Sequence, residues 1–115
     1  MARTPQEIFQ HHAEALVSGD IDEIAADYAD DAVLITPSGV MRGRAEIRQW
    51  FGDLLARLPE ARLDVPTQVF EADVLFIEWT AETPTGRVRD GIDTFVFSDE
   101  SVRIQTVRFT LEPLS

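Results

Sequence analysis

The chain has 115 residues, 44% hydrophobic and 27% charged, which is the composition of a folded globular protein rather than a disordered one. Its 21 acids face ten scattered arginines and no lysine, and the net charge of −11 excludes a phosphate-binding surface built on clustered cations, so no nucleic-acid partner is expected. The absence of cysteine excludes disulfides, thiolate nucleophiles and thiolate metal sites. Met1-Ala2-Arg3-Thr4-Pro5 has no apolar leader character and no apolar run is long enough to span a bilayer, which predicts a cytoplasmic protein without membrane contact.

Thr4, Pro5 and Glu7 read as a helix start, with Thr4 as N-cap and Glu7 closing a capping box. Ile8, Phe9, His12, Ala15 and Leu16 recur at helical spacing and form one inward stripe, which Ser18-Gly19 ends. On that spacing His12 points inward and His11 points to solvent. Asp20 caps a short second helix carrying Ile21, Ile24, Ala25 and Tyr28 on one side. Val33-Leu34-Ile35 reads as a short strand, closed by the turn-forming Thr36-Pro37-Ser38-Gly39. A third helix runs from about Arg44 to Leu58, its stripe being Ile47, Trp50, Phe51, Leu54, Leu55 and Leu58, with Pro59 as terminator.

From Ala61 the hydrophobic period changes to two. Val65–Phe70, Val74–Glu82, Val88–Phe97 and Val102–Leu111 read as four strands joined by short polar turns. Three helices followed by a mostly antiparallel sheet is an α+β fold with the helices on one face, and 1–115 reads as one domain without repeats or linkers. In the third of these strands, Asp93 alternates with Gly91, Phe95 and Phe97, so it shares a sheet face with two phenylalanines. Desolvation on such a face raises a carboxyl pKa and makes the group a proton donor or a perturbed base. The plainer alternative is a structural acid, bonded to a helix end or paired with Arg89. Glu78, Thr80 and Glu82 alternate with Ile77, Trp79 and Ala81, which leaves the inward face of that strand open.

The order of helix, Gly19-Asp20, Tyr28-Ala-Asp-Asp-Ala32, strand, Gly43-Arg-Ala-Glu-Ile47 helix and then strands resembles the ketosteroid-isomerase and SnoaL-like branch of the nuclear-transport-factor-2-like superfamily. The resemblance covers nearly the whole chain, and its most specific stretch is Gly91-Ile-Asp-Thr-Phe-Val-Phe97. It implies a cone-shaped curled sheet which, with three N-terminal helices, encloses an apolar pocket. It implies that Asp93 matches a buried protonated acid that donates to a substrate oxyanion, and that His12 stands in the place of the oxyanion-hole tyrosine. Thr36 stands where the family's isomerases carry their catalytic base. A threonine hydroxyl with nothing to activate it takes no proton from carbon, so steroid isomerisation by that mechanism is not expected. Asp30 and Asp31 match a solvent-facing turn of the superfamily. The epoxide-hydrolase arrangement of the superfamily is matched only by Glu78, with Phe76 and a residue near Phe109 out of pattern. The acid with a helper histidine of the SnoaL-type polyketide cyclases is the nearest match, through Asp93 and His12.

Asp93 and His12 are thus the candidate catalytic pair, in a pocket lined by Phe9, Leu16, Tyr28, Trp50, Phe51, Leu54, Phe95 and Leu111. The expected ligand is an apolar small molecule, either a carbonyl substrate of an isomerase, lyase or cyclase, or the cargo of a non-catalytic binding domain. No metal or organic cofactor is expected, since the two histidines fall on different helix faces and no Gly-rich phosphate loop is present. A homodimer through the outer sheet face, around Ile92, Thr94 and Val96, is expected on the resemblance and on the need to cover that face.

Overall fold

The computed structural model describes residues 3–114; Met1 and Ala2, which begin the polar N-terminus, and Ser115 at the end of the expected domain lie outside it. Helix α1 (Pro5–Ser18) opens with the expected capping box: the Thr4 hydroxyl accepts from the Glu7 N–H, and the Glu7 carboxylate accepts from the Thr4 N–H. It closes at Gly19, which adopts φ +74, a left-handed conformation that a side chain would disfavour. Helix α2 (Ile21–Ala26) is capped by Asp20, and helix α3 spans Gly43–Arg57.

The strands are β1 (Tyr28–Thr36), β2 (Gly39–Arg42), β3 (Arg62–Glu71), β4 (Val74–Glu82), β5 (Gly86–Ser98), β6 (Ser101–Arg108) and β7 (Leu111–Pro113). They form one curled, unclosed sheet in the order β2-β1-β6-β5-β4-β3, with β7 also pairing with β5. Every pairing is antiparallel except β1 with β6. The core lies between α1, α3 and the inner sheet face, around Ile8, Tyr28, Leu34, Ile47, Phe51, Leu75 and Phe95.

Three local expectations change. Asp30 and Asp31 are solvent-exposed as expected, but they sit inside β1 rather than in a turn, at the register shift between Tyr28 and Val33. The expected short strand is therefore the end of a nine-residue one that begins at Tyr28, which belongs to β1 and not, as expected, to the second helix; the turn after it leads into β2. The last strand, expected to run unbroken to Leu111, stops at Arg108. Asp90 captures Thr110 there, accepting from its N–H and its hydroxyl at 2.8 Å each, and the chain resumes as β7 beside Gly86–Val88.

Candidate functional site

Strand β5 turns Gly91, Asp93, Phe95 and Phe97 to the concave side, as its alternation predicts. Strand β4 contributes Ile77 and Trp79 to the same side, which settles its inward face; Glu78 points outward and accepts from the Thr67 hydroxyl at 2.8 Å. With α1 and α3 these residues enclose a cavity of about 440 Å³. Its wall includes Phe9, His12, Leu16, Trp50, Phe51, Leu54, Phe95 and Asp93, as the sequence predicts. It also includes Trp79 and Gln105, which the pattern did not single out.

Two expected lining residues are not on the wall. Tyr28 is fully buried behind it, its hydroxyl donating to Oε1 of Gln105. Leu111 belongs to β7, beside Gly86 and Val88, because the break at Phe109-Thr110 moves it along β5 and away from the cavity. Thr36 is not on the wall either. Its hydroxyl donates to the Gly39 carbonyl and accepts from the Ser38 N–H, holding the β1–β2 turn.

Asp93 is only 6% exposed. Its Oδ1 accepts from Nε1–H of Trp79 at 2.8 Å, and its Oδ2 accepts from Nε2–H of Gln105 at 2.8 Å. Arg89, the alternative partner, instead pairs with Glu112 at 2.8 Å. Burial pushes the Asp93 carboxyl up to about 6, and the two N–H donors oppose that shift because they favour the ionised form. The resemblance implies a neutral acid donating a hydrogen bond; the geometry is that of a carboxylate with both oxygens accepting. Tryptophan is a donor only, so this bond suits the charged state best.

His12 is 2% exposed, and its enclosed Nδ1 has no hydrogen-bond partner among the described residues. Its ring meets Tyr28, Phe51 and Phe95 edge-on, with centroids 5.5 to 5.9 Å apart. Burial holds its pKa down at about 4, so the ring is neutral at physiological pH. It makes no hydrogen bond with Asp93, whose oxygens are taken up by Trp79 and Gln105. The pair shares one cavity wall with no hydrogen bond between them, and neither caps a helix.

His11 does not simply face solvent. Its Nδ1 lies 2.7 Å from Oδ2 of the buried Asp27 and its Nε2 lies 3.2 Å from Glu23, while Arg3 reaches the other Asp27 oxygen at 3.0 Å. The Asp27 bond raises the His11 pKa above its ordinary value. Helical spacing does not show this contact, because Asp27 lies 16 residues on, at the end of α2.

Among the described residues, the only charged side chains on the cavity wall are Asp93 and, with an exposed side chain, Glu60, and no arginine lines it. Among the described residues, no three His, Asp or Glu side chains cluster as metal ligands would, and no helix is long and apolar enough to cross a membrane. Phe76, Ile92 and Ile104, on adjacent strands of the convex face, are each more than a third exposed.

A family model described as a SnoaL-like domain matches residues 9–105. No curated protein matches the chain. Among solved structures, IdmH of Streptomyces antibioticus, a proposed polyketide cyclase, is 18% identical with a TM-score of 0.78, over 93% of this chain and 92% of that one. A proposed ketosteroid isomerase of Kribbella flavida is 16% identical with a TM-score of 0.78, over 92% and 77% of the two chains. An NTF2-like protein of unknown function from Burkholderia xenovorans is 22% identical with a TM-score of 0.76, over 96% and 85%. At these identities the likeness is one of fold.

Proposed function

The chain belongs to the SnoaL-like domain family, and from that premise we propose that it is an acid–base enzyme of the isomerase, lyase or cyclase type acting on an uncharged, apolar carbonyl compound. The observation that carries this reading is the Asp93 carboxylate, buried in an apolar wall and held by two N–H donors. A carboxylate whose pKa lies near 6 is largely ionised at neutral pH yet basic enough to take a proton, which is the compromise general-base catalysis favours.

In the proposed mechanism Asp93 removes a proton from the carbon beside the carbonyl, and negative charge develops on the carbonyl oxygen. With Nδ1 of His12 enclosed, Nε2 is the nitrogen left to meet that oxygen, and a neutral imidazole bearing its proton there donates to the enolate. Return of the proton at a different carbon completes an isomerisation; alternatively the enolate carbon attacks a second carbonyl of the same substrate, whose π bond opens to an alkoxide that takes the proton back from Asp93, and the ring is closed. The acidic, arginine-free wall favours a substrate without carboxylate or phosphate, because either would meet Asp93 with no compensating cation.

The test uses 2-tetralone, an apolar ketone with acidic α-protons, followed by NMR for exchange into heavy water. Wild type is expected to accelerate the exchange, and Asp93→Asn to lose about 10²–10⁴-fold of that acceleration. Wild-type protein that binds the ketone by calorimetry yet leaves its exchange rate unchanged would refute the enzyme reading. It would support a binding domain instead, the reading favoured by Thr36, whose hydroxyl is committed to a turn where the related isomerases place a base. A homodimer through the outer sheet face around Ile92, Thr94 and Val96 is part of the same proposal, supported by the exposure there of Phe76, Ile92 and Ile104, apolar side chains that a second copy would cover.

A further inference from the structure

Register places Trp79 of β4 directly across from Gly91 of β5. The backbone does not demand glycine at this position, for the left-handed glycines are Gly19, Gly39 and Gly43. The demand is spatial. A Cβ at residue 91 would lie 2.3 Å from Cδ2 and Cε2 of the Trp79 indole and 2.6 Å from its Nε1, far inside van der Waals contact. The indole therefore occupies the place a side chain would take, and from there its N–H reaches Oδ1 of Asp93, two residues along the same face. Glycine inside a strand weakens it, so the vacancy is a cost to the sheet. Phe109 packs on the indole at a centroid distance of 5.4 Å, so a ring displaced to that side would have to move Phe109.

We propose that Gly91 is a positioning residue: its missing side chain admits the Trp79 indole, whose N–H then holds Asp93 in the ionised state that proton abstraction needs. The proposal rests on the reading of Asp93 as the base. The indole is one of two donors; Gln105 is the other, its amide oriented by the Tyr28 hydroxyl that it accepts from. Tryptophan cannot accept in return, so withdrawing it removes a preference for the charged carboxylate and nothing else of the network.

The experiment is carbon-13 NMR titration of the Asp93 carboxyl in wild type, Trp79→Phe, Gly91→Ala and the double variant. Trp79→Phe is expected to raise the midpoint by about one unit. Gly91→Ala, which leaves tryptophan present but displaced, is expected to raise it by the same amount. The double variant should show no further rise, because both changes remove one bond. A wild-type midpoint in Gly91→Ala, or shifts that add in the double variant, would overturn the proposal. If Gly91→Ala does not fold, the wild-type protein still decides: the indole N–H cross-peak of Trp79 should move with the Asp93 midpoint while that of Trp50 does not. A Trp79 cross-peak indifferent to that titration would overturn it too. The midpoint is read without turnover. Shifted midpoints with no ketone exchange in wild type would keep the positioning role and discard the base, and exchange with unmoved midpoints would do the reverse.

Discussion

Asp93 and His12 carry opposite perturbations, and replacing either one exposes the other. Asp93 is held at about 6 against an ordinary 3.8, so the native state keeps a proton that the unfolded chain has released. Its stability contribution is therefore fully present below pH 3.8 and lost as pH rises through 6, a total of about 3 kcal/mol. His12 is held at about 4 against 6.5. Its contribution is present above pH 6.5 and lost as pH falls toward 4, again about 3 kcal/mol. The two trends oppose each other across the same window. Urea denaturation between about pH 5 and 8, above the isoelectric point near 4.4, reads part of each. The stability of Asp93→Asn minus that of wild type should rise by about 1–2 kcal/mol from pH 5 to 8. The difference for His12→Phe should fall by about 2 kcal/mol over the same range. Constant offsets from lost packing or hydrogen bonds do not enter, since only the slope of each difference counts. A flat Asp93→Asn difference would refute the desolvation argument for the buried carboxylate, and with it the basis for its role as a base.

Tyr28→Phe removes the hydroxyl that Gln105 accepts from and leaves a buried amide oxygen unpaired, so a loss of about 1–3 kcal/mol is expected in urea denaturation at neutral pH. A loss below the error of the measurement would mean that the amide finds another partner. His11 is raised by its bond to Asp27, so its contribution is present below pH 6.5 and fades as pH rises through its folded value. The thermal midpoint of wild type minus that of His11→Ala should accordingly decline on the alkaline side of pH 6.5, and a constant difference would refute the His11–Asp27 coupling. For the proposed dimer, light scattering should give twice the monomer mass for wild type and the monomer mass for Ile92→Glu, with the fold retained by circular dichroism. A monomeric wild type would leave the convex face without the second copy proposed for it.

Much of this molecule is written in short-range pattern. Thr4, Pro5 and Glu7 set the start of α1, and Gly19 sets its end, because capping depends only on residues three or four apart. The inward turn of His12 and the shared face of Asp93, Phe95 and Phe97 follow from helical and strand periods alone. What those residues meet does not follow. The donors to Asp93 come from β4 and β6, 14 and 12 residues away, and they reach it only because the register sets Trp79 against Gly91 and Phe95 against Gln105. A one-residue slip of either strand would turn Trp79 or Gln105 to the convex face, and nothing local to those residues forbids it. The parallel pairing of β1 with β6 and the capture of Thr110 by Asp90, which carried Leu111 away from the cavity, are likewise agreements between distant segments. Local sequence settles which side chains share a face, since that is a matter of backbone period, but for β4 only the packed sheet decides which of its two faces is the inner one. Whether Asp93 stands in the cavity as a donor or as a carboxylate is decided by the tertiary structure, since charge state depends on the dielectric and on the donors that other strands bring.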